Sequence, residues 1–93
     1  IEIEVSQLFI TVTNKSGMAI TEIKLEVIPA GGQTRFGASH YRLENSDKKD
    51  FSLGDLRGSD GTPFNLRVHK PDRVRVTATD IDSTAYDIEI PWS

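Results

Sequence analysis

Three runs between Phe64 and Ile90 place apolar residues on alternate positions: Phe64, Leu66 and Val68, then Val74, Val76 and Ala78, then Tyr86, Ile88 and Ile90. Successive side chains of a strand point to opposite faces, so a period of two spells strands with one buried and one solvated face; a helix would repeat near 3.6. Lys70-Pro71-Asp72 and the segment from Asp80 to Thr84 separate the runs with residues that suit turns. The expectation is an antiparallel meander of three strands in an all-β chain.

The rest of the chain reads the same way. Ile1, Ile3 and Val5 alternate on odd positions and Leu8, Ile10 and Val12 on even ones, so the register shifts near Ser6-Gln7. Either a bulge sits there or the first strand leaves one sheet and continues in the other. Asn14-Lys15-Ser16-Gly17 signals a turn. Ile23, Leu25 and Val27 then supply an inward face while Glu22, Lys24 and Glu26 point to water, until Pro29 and Gly31-Gly32 close the strand. From Gln33 to Asp50 the pattern is weaker: Phe36 is isolated, Tyr41 and Leu43 alternate, and Asn45 to Asp50 is a polar connection. Phe51 and Leu53 resume the alternation, a single helical turn fits around Ser52 to Leu56, Leu56 plugs the end of the core, and Pro63 can only start the next strand. About seven short strands with turn signals every 8–12 residues or so point to a two-sheet antiparallel β-sandwich with Greek-key connections.

The 93 residues suffice for one domain, read here as spanning 1–93, and 37% hydrophobic with 27% charged residues is an ordinary globular composition. Lys and Arg number 11 against 14 Asp and Glu, with both signs mixed along the chain, which argues against a nucleic-acid partner. The seven aromatic residues fall mostly in the apolar register and form no stripe on which bases would stack. Without cysteine there is no disulfide framework and no thiolate metal site. No apolar run approaches the about 18 residues of a membrane span. The chain starts at Ile1, already in a strand pattern and without an initiator Met, so an excised domain or a processed chain is expected, with a lean towards an extracytoplasmic setting.

Few constellations rise above turn and surface chemistry. On the outward face of the meander, Arg67, His69, Arg73, Arg75, Asp87 and Glu89 alternate with the buried residues. Pairing Val76 with Ile88 sets Arg75 opposite Glu89, and a three-residue loop at Lys70 to Asp72 would set Arg67 beside Arg75. Two Arg forks would suit an acidic partner or a ligand carboxylate, but opposite charges across strands also simply keep such a face soluble, at about 0.2–1 kcal/mol each. Asp80 and Asp82, with Asp55 or Asp60, would offer oxygens to Ca²⁺, yet the chain lacks the calcium-loop spacing with its distal Glu. His40 and His69 have no paired ligand at i+2 or i+4, so no zinc site is read, and no nucleophile elbow is present. Gly31-Gly32 lacks the spacing of a phosphate loop. Asn14-Lys15-Ser16 formally matches an N-glycosylation acceptor in a turn expected to be exposed. Trp92 either closes the bottom of the core or, if exposed, serves as a binding hot spot.

Two stretches, Leu8 to Gly17 leading into Ile23 to Ile28, and the closing Val74 to Ile90 hairpin, make the chain resemble the immunoglobulin-like superfamily in its Cys-free forms, such as fibronectin type III, CARDB-like and adaptin-ear-like sandwiches. The paired Cys and middle-strand Trp of antibody domains are missing. No functional residue carries over. The resemblance implies an adhesion, carbohydrate-associated, scaffold or spacer module. The resulting expectation is a non-catalytic, cofactor-free, monomeric module of a larger exported or surface protein. It would contact a protein or carbohydrate partner over a surface that includes Arg67, His69, Arg73, Arg75, Glu89 and Trp92. The alternatives are a purely structural spacer or a calcium-stabilised adhesion-type module.

Overall fold

A computed structural model describes residues 1–31, 34–65 and 70–92. Among them are eight strands: β1 (Glu2–Val5), β2 (Phe9–Thr13), β3 (Ile20–Pro29), β4 (Phe36–Leu43), β5 (Lys48–Ser52), β6 (Arg57–Gly58), β7 (Pro71–Asp80) and β8 (Ala85–Pro91), with a single 3-10 turn at Leu53–Asp55. They form two antiparallel sheets, in the orders β1-β2-β5 and β6-β4-β3-β7-β8.

One core joins the sheets. The three-stranded sheet contributes Ile10, Val12 and Phe51, the five-stranded sheet Ile23, Leu25, Val27, Phe36, Val74, Val76 and Ala78, and the connection after β5 adds Leu53 and Leu56. The alternation read along β3 and β7 is therefore realised on the inward face. At about 25 cal/mol per Å² of apolar surface removed from water, these side chains supply the main stabilising term.

The meander is corrected. β7 and β8 pair as the alternation implies, with Val76 opposite Ile88 and Arg75 opposite Glu89. The other side of β7, however, is taken by β3, with Leu25 opposite Val76 and Glu26 opposite Arg75. Arg75 thus has Glu26 and Glu89 as cross-strand neighbours, and the place proposed for Arg67 is occupied. Period two reports which face a residue uses; it carries no information on which strand lies alongside.

The register shift near Ser6-Gln7 is neither a bulge nor a change of sheet. β1 folds back on β2, pairing Val5 with Ile10 and Ile3 with Val12. Ser6 builds the turn: its N–H donates to the Phe9 carbonyl at 2.9 Å, and its Oγ accepts from the Phe9 N–H, also at 2.9 Å. Leu8, expected inward, is at the tip and 68% exposed.

Two further expectations change. The weakly patterned segment after Gln33 contains the eight-residue β4, hidden in sequence because Gly37, Ala38 and Ser39 interrupt the apolar signal. Gly37 is needed there, since a Cβ would lie 3.0 Å from the Leu25 carbonyl oxygen. In β3 the register against β7 slips between Thr21 and Lys24, and Glu22 takes φ 53, the left-handed region that an L side chain rarely adopts. This bulge explains why Ile20 and Ile23, three apart, are both fully buried.

Candidate contact surface

The outward face of β7 and β8 gathers the predicted charges that fall within the described residues. Arg75 grips Asp87 with two parallel bonds, Nε to Oδ1 at 2.8 Å and Nη2 to Oδ2 at 2.6 Å. Arg73 donates to Glu89 Oε1 at 2.5 Å and lies 3.4 Å from Asp72 Oδ2. The two cross-strand links, Arg75 to Asp87 and Arg73 to Glu89, are diagonal, each two residues from the backbone partner, because the twist of the hairpin brings neighbouring rows together. The Arg75 fork lowers the Asp87 carboxyl below the usual aspartate range, and the same bond raises the Arg75 guanidinium. Arg67 and His69 lie outside the described residues.

These arginines are therefore already engaged by their own sheet. The side chains remain partly exposed, so the pairs hold a solvated face in order and contribute little to stability. Glu26 joins the pattern through Arg35 at 3.2 Å, so charge alternates across the sheet from Glu26 to Arg75 to Glu89.

Trp92 is half-buried and packs against the core cluster, with its ring 6.4 Å from that of Phe64. Its N–H donates to the Asp72 carbonyl at 2.9 Å, extending the β7–β8 ladder by one pair.

Asp80 is buried and its carboxylate organises the β7–β8 turn. Oδ1 accepts from the Asp82 and Thr84 N–H groups, both at 2.9 Å, and Oδ2 accepts from the Tyr86 hydroxyl at 2.9 Å. Burial alone would raise the Asp80 carboxyl, but the bonds from Thr84, Tyr86 and Asp82 outweigh it and the net shift is downward. Tyr86 moves the other way, raised first by its bond to Asp80 and then by burial. Both Asp80 oxygens thus carry protein hydrogen bonds, and among the described residues no group of three or more His, Asp or Glu side chains gathers as a metal ion would require. Asp60, another of the acidic loop residues, caps its own turn by accepting from the Thr62 N–H at 3.0 Å.

The glycosylation reading of Asn14 is overturned, because the residue is fully buried. Nδ2 donates to the carbonyls of Met18, Leu43 and Glu44 at 2.8, 3.1 and 3.0 Å, and Oδ1 accepts from the Ser16 N–H and Oγ at 3.0 and 2.7 Å. Its backbone N–H and carbonyl bond Asp47 and Ser46. One side chain therefore ties the β2–β3 loop to the β4–β5 turn. The turn chemistry of Asn-Lys-Ser-Gly was legible in the sequence; the carbonyls from residues about thirty positions away were not.

Sequence patterning also passed over two kinds of surface feature, exposed apolar side chains and a sheet edge. Tyr41 lies beside the Glu22 bulge and is 84% exposed, while Ile81 stands 63% exposed at the tip of the β7–β8 turn. The other is the outer side of β8, paired by β7 on one side only. The chain matches no protein family, no curated protein and no solved structure.

Proposed function

We propose that this chain is a non-catalytic, immunoglobulin-like accessory module of a larger exported or surface protein, contacting a protein or glycan partner through its loop ends or a free sheet edge. The observation that carries the reading is the strand order. A first, second and fifth strand facing a sheet in which the sixth, fourth, third and last two strands lie side by side resembles the arrangement of immunoglobulin-like sandwiches, and that likeness supports the reading. In such a molecule the apolar interior is filled by side chains of both layers, and contact surfaces fall to the rim and the tips.

The charged groups support a binding role over a chemical one: Arg73, Arg75, Asp80, Asp87 and Glu89 are each held by neighbours in a cross-strand pair or a turn. A structural spacer is the second reading, favoured by how fully the Arg stripe is neutralised by its own sheet.

Photoreactive residues placed singly at Ile81, Ala85 and Thr77, in the cells that make the protein, separate the two. A contact module yields a discrete adduct from Ile81 or Ala85 and none from Thr77. A spacer yields no discrete adduct at any of the three positions, and that result would end the contact reading.

A further inference from the structure

The free edges differ in how they are protected against pairing. β6 is only two residues long. β5 turns Lys49 towards the core side, next to buried Phe51, and an inward lysine discourages a further strand. β1 is four residues long. By contrast β8 runs for seven residues with Tyr86, Ile88 and Ile90 alternating against Asp87 and Glu89, and its one edge-breaking residue, Pro91, is at its very end.

The backbone polarity of that edge follows from two hydrogen bonds. The Trp92 N–H reaches the Asp72 carbonyl at 2.9 Å and the Asp80 N–H reaches the Thr84 carbonyl at 3.0 Å. In an antiparallel pair the bonding direction alternates, so Tyr86, Ile88 and Ile90 bond β7. The N–H and C=O groups of Ala85, Asp87 and Glu89 then point away from the sheet, and among the described residues no strand receives them.

We infer that the β8 edge accepts an extended polypeptide segment as an added strand, one in which apolar residues alternate with lysine or arginine. The inference rests on the contact-module reading and names the surface and the chemistry of the partner. Two observations select that chemistry. Across the outward face the charges run Glu26, Arg75, Glu89, so a basic residue continues the alternation, with Asp87 and Glu89 as its immediate neighbours. On the inward face, Tyr86, Ile88 and Ile90 are only half-buried, as are Ile1 just before β1 and Ile3 and Val5 within it. β5 lies beside β4, which sets β1 towards the β8 side, so apolar residues of an added strand would enter between these two rows. A second copy fits poorly: pairing β8 with itself about Ile88 sets Asp87 opposite the partner's Glu89 twice over, and like charges directly opposite destabilise a sheet.

The test is amide exchange and chemical shift of the isotope-labelled chain with two short synthetic peptides, one alternating valine with lysine, the other valine with glutamate. The valine-lysine peptide is expected to slow exchange at Ala85, Asp87 and Glu89 by roughly tenfold or more, and Glu89→Gln to weaken that effect. Equal protection by both peptides, or by neither, overturns the inference. Protection that rises with protein concentration in the absence of peptide assigns the edge to a second copy and overturns it too. Peptide-induced shifts confined to Ser16, Asn45 and Ile81 also overturn it, while a rim adduct in the crosslinking experiment would leave the contact-module reading standing.

Discussion

Asn14 and Asp80 each gather separate stretches of backbone around a polar side chain, and they do it with different chemistry. Asn14 is a neutral amide that both donates and accepts, which lets it bond three carbonyls and one serine at once. Truncating it takes a donor from the buried Leu43 carbonyl and leaves the Met18 and Glu44 carbonyls to the Ser16 hydroxyl and the Asp47 N–H, so Asn14→Ala is expected to cost about 1–3 kcal/mol by urea unfolding, with an unchanged m-value. Asp80, while ionised, only accepts, and protonation would put a donor proton among three groups that already donate to it. Because its folded pKa is depressed, its contribution is fully present above the unfolded value near about 3.9 and is lost as the pH falls through the folded one. Asp80→Asn keeps one acceptor oxygen for the turn N–H groups and should flatten the acid limb of the stability profile. The same substitution should bring the raised Tyr86 hydroxyl back towards about 10, read from tyrosinate absorbance.

At the scale of elements, alternation was legible wherever both faces kept their type. β3, β7 and β8 follow from it directly; the single helical turn expected around Ser52 to Leu56 spans Leu53–Asp55, and Leu56 closes the core. β4 was obscured because its outward face at Gly37 needs a missing side chain and its inward Ala38 is small. Which strands lie side by side was not legible, since β3 displaced the expected neighbour of β7 through contacts some fifty residues apart in sequence. The bulge is testable. Glu22 holds φ 53, so Glu22→Val should cost about 1–2 kcal/mol while Glu22→Gly is tolerated, measured by thermal or urea unfolding. The Asp80 turn is testable too: with its carboxylate occupied by Asp82, Thr84 and Tyr86, added Ca²⁺ should leave the unfolding midpoint where it was, whereas a rise would show cation binding to the folded form.

For the whole molecule, the same two-residue period that fills the core also decides what is left for partners. Among the described residues fifteen buried ones form the central cluster, drawn from both sheets, so truncating Leu25, which is fully buried between β4 and β7, is expected to cost about 2–5 kcal/mol. Of the residues foreseen as a contact surface, Arg73, Arg75 and Glu89 do share one face, and their mutual pairing shifts attention from the face to the edge beside it. No periodicity announces an edge, because being last in a sheet is a property of the assembled fold. Amide hydrogen exchange along β8 in the unliganded chain tests this account most directly. Slow exchange at Tyr86, Ile88 and Ile90 alternating with fast exchange at Asp87 and Glu89 is the expected result; uniform protection, or none, along the strand would contradict it.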